Sequence, residues 1–187
     1  TGSQAGVMTD ESHSSARIID IRTIRIEESL KRGEVVVLAG FQGVSPLTKE
    51  VTTLGRGGSD TTAVAMAAHF KAERCEILKD VDGIASADPK IVLDAKVYSQ
   101  LSYDVVNEMC FWGAKVLHYR SIELAKKEGV PLYVGSAAQL DVGTLIVPED
   151  NMLEKSKIIS VNSHAFVEHI RVDSANTAEA FQKVAAF

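Results

Sequence analysis

The chain has 187 residues, 45% hydrophobic and 24% charged, the composition of an ordinary globular protein with one sizeable core and room for part of a second. A formal net charge of −5 argues against a general nucleic-acid binder, which is usually basic, while leaving room for a local basic pocket. Its apolar runs are too short to span a bilayer, and its two cysteines, Cys75 and Cys110, lack metal-ligand spacing, which points to a reduced, cytoplasmic protein.

Residues 1–13 are polar and read as loop, without the basic patch and apolar run of a secretory signal. ARIIDI (16–21) predicts a strand, and RIEESLKRG (25–33) a short helix stopped by glycine. EVVVLAGF (34–41) is a continuous β-branched run, the pattern of a parallel-sheet strand buried on both faces. Residues 45–50 read as an exposed loop. TTAVAMAAHFKAE predicts a helix, CEILKD a second buried strand, and DVDGIASADPK a loop dense in Asp, Gly and Pro. SYDVVNEMCFWG is amphipathic helix, with Val105, Val106, Met109 and Cys110 on its apolar side. RSIELAKKEG predicts another helix with a glycine stop, and PLYVGS and TLIV two further strands. Strands alternating with helices argue for an α/β layered sheet. Beyond Pro148 a charged linker, PEDNMLEKSK, leads to KIISVN, FVEHIRVD and NTAEAFQKVAAF, read as strand, strand and helix. The expected division is a domain over 1–150 and the start of a second, small α+β domain over 151–187.

The stretch TTLGRGGSDTTA (52–63) stands apart. A strand, a glycine-rich turn and a helix N-terminus together make an anion site, because the first helical N–H groups lack partners and the dipole adds positive charge. Glycines let backbone approach a ligand. Arg56, flanked by Gly55, Gly57 and Gly58, adds a planar fork suited to carboxylate or phosphate. Ser59, Asp60, Thr61 and Thr62 suit an N-cap and first turn. The loop lacks the Gly-Lys-Ser/Thr ending of a Walker A sequence and does not have Rossmann spacing.

LAGFQGV, TTLGRGGSDTTAVAMAA, KDVDGIASADPKIV, FWGAKVLHYRSIELAKKEGVPLYVGS and GTLI, in this order and spacing, closely resemble the aspartokinases of the amino-acid kinase family. The resemblance covers residues 1 to about 147. It implies a three-layer α/β sandwich around a mostly parallel sheet. It also implies transfer of the ATP γ-phosphoryl to the β-carboxylate of L-aspartate, the first step toward lysine, threonine and methionine. By that likeness Arg56 holds an aspartate carboxylate, Gly57, Gly58 and Ser59 complete the cradle, and Asp60 is the catalytic aspartate. The nucleotide would lie against the motif running from Lys79 to Lys90, at Lys79, Asp80, Ala85 and Lys90, with Lys115 and Val116 as a second ATP contact. Mg²⁺ accompanying ATP is the one metal expected, with no protein ligand assigned, and the five histidines are scattered. Asp82 and Asp88 read as turn formers.

The sequence departs from the family in places. Relatives often carry Thr-Asp at Lys79-Asp80 and tyrosine at Ala85, so a nucleotide-packing surface is altered, and Tyr119 stands where proline is common. The family's Lys-Phe-Gly-Gly-Thr-Ser motif does not occur in the chain, which begins at Thr1. The expectation is therefore a partial kinase domain, inactive or nearly so when isolated. Residues 151–187 resemble the start of a regulatory ACT region, implying lysine or threonine as effector and a homo-oligomeric parent. Two rivals stand beside this reading. One is another amino-acid kinase, acting on glutamate or a nucleoside monophosphate, which GRGGSD disfavours. The other is a non-catalytic regulatory module that binds amino acid or nucleotide.

Overall fold

A computed structural model describes residues 1–139, 142–148 and 158–163. Eight strands fall into two four-stranded sheets. The first contains β1 (Val7–Thr9), β2 (Ile18–Ile21), β3 (Gln42–Val44) and β4 (Val51–Thr53) in the order β2-β1-β3-β4. The second contains β5 (Cys75–Lys79), β6 (Gln100–Ser102), β7 (Leu132–Ser136) and β8 (Gly143–Val147) in the order β5-β7-β8-β6. Helices α1 (Ile24–Lys31), α2 (Gly58–His69), α3 (Tyr103–Phe111) and α4 (Tyr119–Glu128) lie between strands in sequence. This is the expected α/β class. The pairing is more mixed than a mostly parallel sheet: β1–β3, β5–β7 and β6–β8 are parallel, whereas β1–β2, β3–β4 and β7–β8 are antiparallel.

The larger core lies where α2, α3 and α4 cover the second sheet. Val64 of α2, Val106 of α3, Ile122 and Ala125 of α4, Leu132 and Val134 of β7 and Ile146 of β8 are all fully buried. Local chemistry sets the helix ends. Ser102 caps α3 by accepting from the Val105 N–H, and Gly129 closes α4 in the left-handed region at φ +69°, where a side chain would be strained. A smaller cluster of Ala5, Val7 and Ile26 serves the first sheet.

Three readings change. The run 34–41 is not a strand buried on both faces: Val35 and Val37 are 93% and 95% exposed, while Val36 and Leu38 pack on the smaller cluster. The alternation of a strand survives without a ladder, because β1 pairs directly with β3 and leaves this run no neighbour among the described residues. Strand β5 is likewise half-buried, with Cys75 and Ile77 inward and Glu76 and Leu78 outward. Residues 1–13, read as loop, contribute β1.

Most of 151–187 lies outside the described residues, and with it the expected ACT-like start. Residues 158–163, read as part of a strand, form no ladder. Ile159 packs on the larger core and its carbonyl accepts from the Tyr98 hydroxyl, while the Val161 N–H donates to the Ser86 carbonyl at 3.0 Å. No described helix is long and apolar enough to cross a membrane.

Ile122 sits on α4 in the larger core with no exposure. Ile122→Ala is expected to lower unfolding free energy by about 2–5 kcal/mol and Ile122→Val by about 0.5–1.5, read from urea denaturation. Equal, small losses for both would show that this contact does not hold α4 down.

Candidate functional site

Strand β4 ends at Thr53 and α2 begins at Gly58, so the glycine-rich stretch is a strand–loop–helix junction. Leu54 anchors it in the interior with 1% exposure. Gly55 and Gly57 have φ of +75° and +70°, a region that disfavours side chains. Gly57 is constrained twice, because a Cβ there would stand 2.2 Å from the Cβ of His118.

Gly57 is the N-cap of α2, and no side chain caps the helix. The threonines suited to that task bond instead to the preceding turn. The Thr61 hydroxyl donates to the Gly57 carbonyl at 2.9 Å and the Thr62 hydroxyl to the Gly58 carbonyl at 2.8 Å. Thr62 Oγ1 also accepts from the Phe41 N–H at 3.1 Å, tying the helix to the end of the 34–41 run. The Gly58 N–H donates to the Gly55 carbonyl at 3.0 Å, whereas the Ser59 and Asp60 N–H groups keep their capacity for an anion, with Ser59 exposed.

Cations surround this turn. Arg56 is exposed and makes no ion pair among the described residues. Lys79, the last residue of β5, reaches across from the second sheet. Its Nζ donates to the Val116 carbonyl at 2.5 Å and stands 3.4 Å from Asp60 Oδ2. Arg120, in the first turn of α4, donates from one terminal nitrogen to the Leu54 carbonyl at 2.7 Å and from the other to the Ala16 carbonyl at 2.6 Å. His118 caps α4, its Nδ1 accepting from the Arg120 N–H. Its pKa is held below the ordinary value, first by burial, then by Arg120 and Arg56, with Asp60 opposing.

The structure therefore gathers Arg56, Gly57, Gly58, Ser59, Asp60, Lys79 and the Val116 carbonyl around one turn. Asp80, Ala85 and Lys90 lie along the loop leaving β5. Ala85 forms a bridge with Val97, and the Lys90 N–H bonds Asp88 Oδ1 at 2.9 Å in a turn, the role read for Asp88. Lys115 is exposed next to Val116. No hydrogen bond or ion pair among the described residues ties the side chains of Asp80, Lys90 or Lys115 to Asp60. Sequence reasoning missed His118 and Arg120. The histidine stands directly before α4, a cap position, whereas Arg120 carries no local signal distinguishing it from a solvent-facing helix residue.

Burial pushes the Cys75 thiol up to about 11, aided by Asp60 and Glu76, and raises Cys110 as well, so both thiols stay protonated near neutrality. A separate cleft of about 660 Å³ opens between β2 and the α2–α4 pair, with Arg17, His69 and Arg120 on its wall; Arg56, Ser59, Asp60 and Lys79 do not line it.

The model of the amino acid kinase family matches residues 1–136. The chain belongs to that family. It is 49% identical over 163 residues to an aspartokinase of Corynebacterium glutamicum, covering 86% of this chain and 39% of that protein. It is 52% identical over 147 residues to an aspartokinase of Mycobacterium tuberculosis, covering 79% and 35%. The chain thus spans little more than a third of these relatives. Among solved structures it is similar to E. coli aspartokinase III in complex with aspartate and ADP, with a TM-score of 0.70 and 32% identity over 79% of this chain and 34% of that one. The same enzyme in complex with lysine and aspartate gives a TM-score of 0.65.

A histidine whose folded pKa is depressed destabilises the fold as pH falls through its unfolded value of 6.5. Arg56→Ala removes one of the two cations responsible, so the His118 titration followed by NMR is expected to move upward in that variant. An unchanged midpoint would place Arg56 too far from His118 to belong to the same site.

Proposed function

We propose that the protein of which this chain is part or whole is an aspartate kinase, transferring the γ-phosphoryl of ATP to the β-carboxylate of L-aspartate. The observation carrying the reading is the α2 N-terminus, which no side chain caps, with Arg56, free of ion pairs among the described residues, and the Asp60–Lys79 pair beside it. Identity of about half to aspartokinases supports the substrate class, as does likeness to a structure holding aspartate and ADP.

The reaction brings two anions together, so positioning and charge neutralisation dominate. Arg56 and the Ser59 N–H hold the aspartate α-carboxylate and fix its distance from α2, with Gly57 and Gly58 completing the cradle. A β-carboxylate oxygen then attacks the γ-phosphorus. One P–O bond forms, the bond to the bridging oxygen breaks, and ADP departs with that electron pair. The acceptor is already ionised near neutral pH, so no general base is needed. Asp60 instead orients the cation beside the reacting group.

On the nucleotide side, Asp80, Ala85 and Lys90 on the loop after β5, and Lys115 and Val116 before α4, supply the contacts. Mg²⁺ bound through phosphates needs one or two carboxylates and water rather than a protein cage. The described residues fit that, offering the Asp60 carboxylate at the junction but no cluster of three ligands. When bound, the ion would neutralise phosphate charge. Lysine or threonine binding at 151–187, in a homo-oligomer, completes the proposal; a lysine complex of the E. coli relative supports the effector class.

The test is a coupled ADP-release assay on the full-length protein. Turnover is expected with aspartate and at least about tenfold less with glutamate, whose extra methylene misplaces the acceptor oxygen. Asp60→Asn is expected to lower kcat by about a hundredfold or more. Preference for glutamate, or full activity in Asp60→Asn, would refute the assignment.

A further inference from the structure

We propose that Lys79 is a catalytic cation of the transfer site, held by the Val116 carbonyl so that its charge is free to meet a non-bridging oxygen of the transferring phosphoryl group. The inference rests on the aspartate kinase reading and gives Lys79, read from the sequence as a nucleotide contact, a role in the transfer itself, at a position where resembling sequences often carry threonine.

The backbone is fixed first. Lys79 closes β5, is paired with Ser136 of β7, and its carbonyl accepts from the Ala137 N–H at 2.9 Å. The side chain then leaves the sheet toward α2. At its end the ammonium bonds the Val116 carbonyl at 2.5 Å, a tight contact, but stands 3.4 Å from Asp60, well beyond the 2.7–2.9 Å of a formed charge-assisted bond. The group is therefore located by a neutral carbonyl and only loosely compensated by the carboxylate. An ammonium has three donors, and these contacts engage two. With Lys79 and Asp60 side chains 29% and 19% exposed, a solute can reach the pair.

The alternative is a purely structural ion pair stitching the two sheets. A loose pair that is open to solvent contributes little stability. The core already joins α2 to the second sheet through Val64 and Ala67. What the pair does supply is a positive charge beside the first turn of α2, where Asp60 would otherwise oppose an incoming anion. In the transition state, charge spreads over three equatorial phosphoryl oxygens, and a preplaced ammonium stabilises it without reorganisation. The Val116 carbonyl, in turn, keeps the ammonium from folding back along its flexible stem.

Lys79→Met, Lys79→Thr and Lys79→Arg variants of the full-length protein separate the possibilities. Lys79→Met is expected to reduce kcat about 10- to 100-fold with the KM for aspartate within about threefold. Lys79→Arg should recover part of the loss, and the thermal midpoints should stay close to wild type. Unchanged kcat in Lys79→Met, beside a wild type that phosphorylates aspartate, overturns the role of Lys79 alone. A wild type with no aspartate-dependent ADP release overturns the parent reading instead. Lys79 is then judged by the ¹³Cε resonance of labelled lysine, assigned with Lys79→Arg. It should shift on adding a magnesium complex of a non-hydrolysable ATP analogue and much less with Mg-ADP, which lacks the γ-phosphate. Equal shifts with both nucleotides, or none with either, contradict the proposal.

Discussion

The site depends on one side chain that never needs to touch a ligand. Arg120 places a terminal nitrogen on the Leu54 carbonyl and the other on that of Ala16, and so fastens α4 to the chain just after β4 and just before β2. Leu54 is the last residue before the glycine-rich turn. Hydrogen bonds to a charged donor contribute about 1.5–3 kcal/mol each, enough to hold a loop whose glycines would otherwise favour disorder. Because His118 packs on Gly57 two residues earlier, the start of α4 fixes the turn at both its entrance and its helix cap.

That arrangement explains the distribution of charge. Arg120 spends its donors on backbone and is structural, although its field still reaches His118. Arg56, on the same turn, has no such anchor and faces solvent, as a ligand-directed guanidinium must. Lys79 is intermediate, located by a carbonyl and loosely paired. Two sheets and a helix thus contribute to one site: the first sheet leads into the turn and α2, the second supplies Lys79, and the start of α4 supplies His118 and Arg120. Helices α2 and α4 pack directly against each other.

What the sequence made legible followed from local chemistry. The junction at 52–63, the glycine stops of α1 and α4, and the Asp88 turn each depend on residues within a few positions, so patterns reveal them. The 34–41 run failed for a physical reason: a β-branched segment specifies extended backbone, but burial of both faces requires neighbouring strands, which Val35 and Val37 do not have. Threonines 61 and 62 were suited to capping by type, yet a glycine cap left their hydroxyls to the turn behind. Arg120 was invisible because its partners are carbonyls distant in sequence. Lys79 was legible as a nucleotide contact and as a departure from threonine; its meeting with Asp60 and the Val116 carbonyl was not.

The central claim is that Arg56 and the open N-terminus of α2 form a carboxylate site. Calorimetric titration of L-aspartate into the full-length protein, beside Arg56→Ala, tests it most directly. The account expects saturable binding in the first and at least about tenfold weaker binding in the second, since the variant forfeits a bidentate charge-assisted contact. Equal affinity in both, with the variant folded, would contradict it and place the aspartate elsewhere.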